Sequence, residues 1–304
     1  MRYNPGLLIC RQRIYTSSVI TNAFKDLNSY FSMIDLMAQR RLEELLIDDI
    51  GYGDISSQLL PPKSGNASIV CKDTCIVSGV EYAQFLFELR GLHVIILKNE
   101  GEKAQPGERI MEIEGEYREI LQVERTALNI LTRMSGIATE TRTLVEKVRK
   151  VNPHCRIAST RKTLLRFFDK RAVITGGGDP HRFRLEDMIL LKDNHIAILG
   201  VKEAIKRAQA HSFSKKIEIE VSSKKAALEA VQCGVDIVML DNMTPEEVTE
   251  TVQALQDFPV IIEASGGITP DNIETYAQTG VDVISMGYIT HSIQAANMSL
   301  EVIT

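Results

Sequence analysis

The chain has 304 residues, 44% hydrophobic and 25% charged, with a formal net charge of -5. That balance belongs to a globular protein long enough for one large core or two domains. An acidic total excludes a general nucleic-acid binder, which needs a broad basic face, so any anion site must be a local gathering of cations. No apolar run reaches the length that spans a bilayer. The five cysteines (Cys10, Cys71, Cys75, Cys155, Cys233) include no CxxC pair, which fits a reduced, cytoplasmic protein. Cys71 and Cys75, four apart in a β-like run, share a face and read as core packing rather than zinc ligands.

Residues 1–32 carry Arg2, Arg11, Arg13 and Lys25 and no acid before Asp26. They have a superficial likeness to a transit peptide, but a disordered extension or a misassigned start is the preferred expectation, since Met33 directly precedes a well-patterned helix, "MIDLMAQRRLEELLIDDIG", that stops at Gly51. Next come β-like "ASIVCKD" and "CIVSG", a helix "VEYAQFLFELRG", then "HVIILKNEG" and "ERIMEIEG". Gly and Pro-Gly in "EGEKAQPGERI" suit a hairpin-type connection. The expected unit is a small α+β domain over 33–134. Its last strands are similar to a biotinyl or lipoyl hairpin, but no acceptor lysine motif stands at the turn, which speaks against a swinging-arm carrier.

A helix "REILQVERTALNILTRMSGIATETRTLVEKVRKV" leads into a second domain, 135–304, expected to end in a helical tail. Seven apolar runs, "CRIAS", "AVITGGG", "MILLKDN", "IEIEVSS", "VDIVMLDN", "PVIIEASGG" and "VDVISMG", occur there, several of them separated by helical stretches such as "VKEAIKRAQAH" and "PEEVTETVQALQD". Strands that are apolar throughout and alternate with helices predict a covered parallel sheet. This number of units predicts an α/β barrel, complete or open.

Each polar or glycine cluster falls at the carboxyl end of its run: Thr160, Arg161 and Lys162; Gly176 to Gly178 with His181 and Arg182; Lys192; Glu220; Asp241; Ser265, Gly266 and Gly267; Gly287. In a parallel barrel these ends share one rim, where active sites are built. Arg161, Lys162, His181, Arg182 and Lys192 would make a cationic pocket for carboxylates, arginine because its planar fork matches a carboxylate in two bonds. Glu220 and Asp241 suit a divalent metal or ribose hydroxyls, and the late glycines suit a phosphate cradle. The implied ligands are a small polycarboxylate and a phosphorylated sugar. Lys192 is either a fixed charge or a Schiff-base lysine, His181 either a ligand or a structural hydrogen-bonding residue. Glu218 and Glu220 share a strand face; Glu220, nearer the strand end, is the site candidate and Glu218 a packing partner. Lys170 and Arg171 read as solvated helix charges.

Together, "ERTALNILTRMSGIAT", "STRKT", "GGGDPHR", "LLKDNH", "IEIEV", "MLDN", "ASGGI" and "ISMGYITHS" resemble the quinolinate phosphoribosyltransferase family, in order, from about residue 50 to 292. The resemblance implies an N-terminal α/β sandwich followed by an open, seven-stranded α/β barrel. It implies a glycosyltransferase that joins quinolinate to phosphoribosyl pyrophosphate with decarboxylation in NAD biosynthesis, using Mg2+. It implies a homodimer, or hexamer, in which Arg125 is donated across the interface. Carried over, Thr160, Arg161, Lys162, His181, Arg182 and Lys192 meet quinolinate. Glu220, Asp241, Ser265, Gly266, Gly267 and Gly287 meet phosphoribosyl pyrophosphate; Glu220 and Asp241 also meet the metal, and Lys162, Glu220 and Asp241 form the catalytic set. One departure stands out. The family continues "TRKT" into a Pro-Gly turn, whereas here Thr163 runs directly into Leu164, Leu165 and Arg166, which leaves a related phosphoribosyltransferase of other specificity, such as a molybdenum-associated paralogue, or a weakened paralogue as the alternative. A barrel aldolase built on Lys192 and a non-catalytic scaffold are more distant readings.

Overall fold

The computed structural model describes residues 36–303, so the expectations for residues 1–32 lie outside the described residues. The chain divides into two compact units at Arg41/Leu42, and the architecture below is that of the second. Helix α1 (36–50) stops at Gly51, which takes the left-handed φ of 56° that glycine adopts without a Cβ clash.

Strands β1 (Ser64–Cys71), β2 (Cys75–Ile76), β3 (His93–Ile96), β4 (Lys103–Ala104) and β5 (Arg109–Glu116) follow, with helix α2 (Val80–Glu88) between β2 and β3. Helix α3 (Tyr117–Val151) then runs for 35 residues, because its apolar positions keep helical spacing: Ile120, Val123, Ala127, Leu131, Met134, Ile137, Thr141, Leu144 and Val148 are all buried. α2 and α3 pack on the antiparallel sheet that contains β1, β3 and β5, giving the expected sandwich. Cys71 and Cys75 lie buried in this unit with their Sγ atoms 3.5 Å apart.

One expectation needs correction here. The C-terminal segment is not a helical tail but strand β12 (Met298–Ile303), antiparallel to β1 from Asn66↔Ile303 to Cys71↔Met298. β1 would otherwise present an open edge, and "MSLEVI" alternates in the manner of a strand. The chain therefore returns to its first sheet, whose order is β12-β1-β5-β3. The position expected as the boundary, 134/135, lies within α3, a single helix that packs on the sandwich and also on the barrel elements that follow.

The barrel has strands β6 (Arg156–Ser159), β7 (Ile189–Leu191), β8 (Ile217–Val221), β9 (Ile237–Asp241), β10 (Ile261–Ser265) and β11 (Val283–Met286). All pairs are parallel, in the order β6-β11-β10-β9-β8-β7. Helices α4 (Arg166–Thr175), α5 (Asp193–Leu199), α6 (Val201–His211), α7 (Lys224–Gln232), α8 (Pro245–Leu255), α9 (Ile273–Gln278) and α10 (Tyr288–His291) connect them. The expected second strand, "AVITGGG", is not a strand. Phe168, Ala172 and Val173 are buried at helical spacing, so the segment forms the end of α4. What remains of the seventh position is one parallel bridge, Ala158↔Asp179, cut short by Pro180, which has no N–H to donate. The barrel is thus open, with six strands and a single bridge. The glycines serve α3 rather than a ligand: a Cβ on Gly176 would lie 2.6 Å from the Ala138 carbonyl oxygen, and one on Gly178 would lie 2.8 Å from Thr141 Cγ2.

α3 meets the C-terminal segment at Gly136, where a Cβ would stand 2.2 Å from the Gln294 carbonyl oxygen. Both partners are backbone and cannot swing aside. Gly136→Ala is expected to destabilise the protein by about 2–3 kcal/mol, as overpacking does, against the slight gain alanine gives in an unobstructed helix. Thermal unfolding would read this as a lower Tm.

Candidate active site

The strand order gathers the carboxyl ends on one rim. Thr160, Arg161 and Lys162 follow β6, His181 and Arg182 follow the bridge at Asp179, and Lys192 follows β7. Glu220 lies near the end of β8, Asp241 and Ser265 end β9 and β10, and Gly287 follows β11. Because β6 pairs with β11, the cationic and glycine sectors adjoin: a Cβ on Gly287 would meet Lys162 Cδ at 3.2 Å.

The first cationic loop is tightly held. The Lys162 N–H donates to Thr160 Oγ1 at 3.2 Å, and the Lys162 carbonyl accepts from Thr290 Oγ1 at 3.2 Å. Thr163 Oγ1 donates to the buried carboxylate of Asp169, which Arg133 of α3 grips with two bonds of 2.7 Å. That contact holds the Arg133 pKa above its ordinary value. Arg161 Nε and Arg166 Nε are buried without any hydrogen-bond partner. Unpaired buried guanidinium donors are costly unless a ligand completes them. Arg182 stands beside them, its pKa lowered by burial and by the charge of Arg161. This is a crowd of positive charge facing an anion site.

His181 takes a left-handed φ of 53°. Its N–H donates to Asp179 Oδ1 at 2.7 Å and its Nδ1 accepts the Arg182 N–H at 2.8 Å. Its Nε2 lies 3.4 Å from both Glu218 and Glu263, two carboxylates inside the barrel. The ring therefore spans the interior from β6's side to β8 and β10, and acts as a structural hydrogen-bonding residue in this arrangement. Burial opposes the imidazolium, but the two carboxylates outweigh it and raise the His181 pKa to about 10. An accepting Nδ1 nevertheless requires that nitrogen to be bare, so the geometry puts the ring proton on Nε2. Burial and the neighbouring Glu263 push the Glu218 pKa up, while its contact with His181 pulls it down. His181, Glu218 and Glu263 are the one trio of metal-type ligands among the described residues, and with the proton on Nε2 the atom a metal would need is taken.

On the opposite sector Lys192 Nζ is paired with Glu220. This holds Lys192 as a fixed cation, the reverse of the free amine that a Schiff-base mechanism requires. Asp241 accepts from Asn242 Nδ2 at 2.7 Å, and Asn242 is left-handed, with φ 54°. A capping box, Thr244 with Glu247, starts α8 directly after that turn and fixes it. Asn242 also presses on Gly266, where a Cβ would meet its backbone N at 2.8 Å and its side chain closer still. Ser265 and Ser285 bond through their hydroxyls at 3.0 Å. Glu220 and Asp241 lie on neighbouring strands and offer hard oxygen donors of the kind a divalent cation takes.

Arg125 is not on this rim. It is exposed on α3 and lines a cleft of ≈ 360 Å³ with Asp49, Ile50, Gly53, Asp54, Ile55, Leu121 and Gln122. The most consequential misreading is Lys170, expected as a solvated charge and found with no exposure. No local pattern signals it: two residues from both Phe168 and Ala172, it lies on the other side of α4 from them, and α4 is buried on more than one face. Glu218 and Glu263 were legible in principle as acids inside otherwise apolar strands.

Comparison with known proteins now bears on the chain. A model described as the quinolinate phosphoribosyl transferase C-terminal domain matches residues 137–301, and its N-terminal counterpart matches residues 54–135. The chain belongs to the quinolinate phosphoribosyltransferase family. A probable nicotinate-nucleotide pyrophosphorylase [carboxylating] of Methanocaldococcus jannaschii is 48% identical over 282 residues, covering 89% of this chain and 99% of the relative. The human nicotinate-nucleotide pyrophosphorylase [carboxylating] is 38% identical, covering 77% of this chain and 81% of its own. The solved nicotinate-nucleotide pyrophosphorylase of Francisella tularensis superposes with a TM-score of 0.82 at 34% identity, covering 88% and 96% of the two chains. The family models meet at α3, the helix that the sandwich and the barrel share.

Replacing Arg133 leaves the buried Asp169 carboxylate without its cation. Arg133→Met is expected to lower stability by about 3 kcal/mol, the range for breaking one side of a buried pair. The double change with Asp169→Leu should recover part of it, as read in urea unfolding midpoints.

Proposed function

We propose that this protein transfers the phosphoribosyl group of phosphoribosyl pyrophosphate to quinolinate, yielding nicotinate mononucleotide, pyrophosphate and CO2 in NAD biosynthesis. The observation that carries the reading is the pair of buried, unpartnered guanidinium donors on Arg161 and Arg166 beside Arg182. These adjoin a rim sector of acids and glycines suited to a phosphorylated sugar. A ligand with two carboxylates satisfies several cations at once, which a monocarboxylate does not.

In the proposed mechanism, Arg161, Arg182, Lys162 and Lys192 hold the two carboxylates and orient the ring nitrogen toward C1 of the sugar, with Thr160 at the pocket edge. The nitrogen lone pair forms the new bond while the bond from C1 to the pyrophosphate oxygen breaks. Glu220 and Asp241 lie where positive charge develops on the sugar and stabilise it electrostatically. Ser265, Gly266, Gly267 and Gly287 receive phosphate oxygens through hydroxyl and backbone N–H donors. Glu220 and Asp241 would hold a magnesium ion, which would supply positive charge to the leaving pyrophosphate. After transfer the 2-carboxylate leaves as CO2, its bonding electrons stay on the ring carbon next to the positive nitrogen, and that carbon takes up a proton. Lys192, ion-paired to Glu220 in this state, gains a second partner when the substrate carboxylate arrives. His181 supports the pocket from below through Glu218 and Glu263 in the state described here.

The proposal includes a homodimer in which Arg125, as the family resemblance implies, completes the site of the second copy; its exposure on α3 is compatible with that role. A cytoplasmic location is part of the proposal, supported by the free thiols of Cys71, Cys75, Cys155 and Cys233.

Purified protein supplied with quinolinate, phosphoribosyl pyrophosphate and Mg2+ is expected to release CO2, with nicotinate not turned over in parallel. Arg161→Ala or Glu220→Ala should lower kcat/KM by roughly a hundredfold or more; a folded protein that binds neither substrate would sink the reading. Donation of Arg125 has its own readout. Arg125→Ala and Arg161→Ala proteins, each inactive, should regain about a quarter of the wild-type rate when mixed and re-equilibrated, because half of the resulting dimers carry one intact site. No recovery on mixing would mean that Arg125 acts within its own subunit or not at all.

A further inference from the structure

The helix that replaces the expected second strand carries two adjacent charged side chains, Asp169 and Lys170, each with no exposure. Each reaches to a different loop. Asp169 takes the hydroxyl of Thr163 at the end of the first cationic loop and is backed by Arg133. Lys170 Nζ donates to the Pro180 carbonyl and, at 3.1 Å, to Ser159 Oγ, which itself donates to the same carbonyl at 3.0 Å. The Phe183 ring covers the ammonium, with its centroid 5.7 Å away.

A buried lysine is an expensive way to fill space, and a methionine would pack there without desolvating a charge. Burial has driven its pKa down to about 7, with Arg166 and Arg161 adding to the effect and Asp179 opposing it. The residue it holds explains the expense. Pro180 is followed by His181 in a left-handed conformation, which persists in a non-glycine residue only where the surroundings over-determine it. The Pro180 carbonyl is the last backbone acceptor before that turn, and two donors fix it. Arg182, one residue further, is thereby held near enough to Arg161 to feel its charge.

We propose that Lys170 is a positioning residue of the reaction: by pinning the Pro180 carbonyl to the end of β6, it fixes the strained His181–Arg182 turn and so sets the gap between the Arg161 wall and the Arg182 wall of the carboxylate pocket. The proposal deepens the dicarboxylate reading above and rests on it. Lys170 touches no substrate. It selects for a ligand whose two carboxylates span that gap, and Asp169 holds the opposite wall from the same turn of helix, where the chain passes from Thr163 into α4 through only Leu164 and Leu165.

The test is Lys170→Met in the full chain. KM for quinolinate should rise roughly tenfold or more while KM for phosphoribosyl pyrophosphate stays within about twofold. The preference for quinolinate over nicotinate as a competing ligand should shrink. Amide hydrogen exchange should quicken over 181–183 and not over 160–163 or β8. Unchanged KM values, or an equal rise in both, would overturn the proposal, because loss of fold quality alone would not single out one substrate. Should Lys170→Met fail to fold, Lys170→Ala assayed with and without propylammonium replaces it; recovery of the quinolinate KM by the amine supports the role and no recovery overturns it. Wild-type protein that turns over neither substrate would count against the proposed reaction alone. The bracket is then judged by hydrogen exchange, and unaltered exchange over 181–183 would refute it.

Discussion

The rim depends on mutual repulsion among cations that the fold forces together. Arg161 and Arg166 lie close enough to weaken the hold of Lys170 on its proton, and Arg161 that of Arg182, in a chain whose total charge is -5. The counter-charges sit behind this cluster rather than in front of it. Asp169 is locked on Arg133, Asp179 caps the His181 turn, and Asp187 accepts the N–H groups of Phe183 and Arg184 at 2.7 and 2.9 Å. They lower the energy of the assembled cations without occupying the side from which a ligand arrives. The guanidinium donors left over are the part of the electrostatic balance that the protein does not settle by itself.

The barrel makes this arrangement affordable to hold in place. Its parallel strands are buried and short, three to five residues each, so their ends are fixed by the sheet ladder and the loops need carry only a few residues before the next helix. Two buried carboxylates, Glu218 and Glu263, then tie the His181 turn to strands on the far side. A polar network of this kind inside a barrel rigidifies it only if its protons are placed consistently, and the Arg182 N–H on His181 Nδ1 fixes where they go.

Much of this was legible in the sequence, for a physical reason. A parallel strand buried on both faces must be apolar throughout, and it must turn polar where it leaves the barrel, so Lys192, Glu220, Asp241 and Ser265 announce their places by position alone. The small α+β domain was equally accessible from its patterning, whereas the sandwich arrangement and the role given to Arg125 came only from the family resemblance. What was hidden came from side chains whose partners are distant in the chain. Lys170 reads as a surface charge because its acceptors, Ser159 and Pro180, are not helical neighbours. "AVIT" reads as a strand because β-branched residues mark strands locally, whereas Phe168, Ala172 and Val173 bury one face of a helix against tertiary contacts. The C-terminal strand was missed because its alternation is short and its partner, the open edge of β1, lies about 230 residues earlier.

That last pairing bears on how the molecule is made. Since Cys71 lies opposite Met298 and Asn66 opposite Ile303, the first sheet to be synthesised is the last to be completed. During translation β1 must wait with one edge unpaired while the whole barrel emerges, so the barrel ladder can form before the sandwich is closed. Until β12 arrives, that edge is a template for pairing with another chain. Crowded synthesis, rather than heat, is the condition under which this fold is most exposed to error.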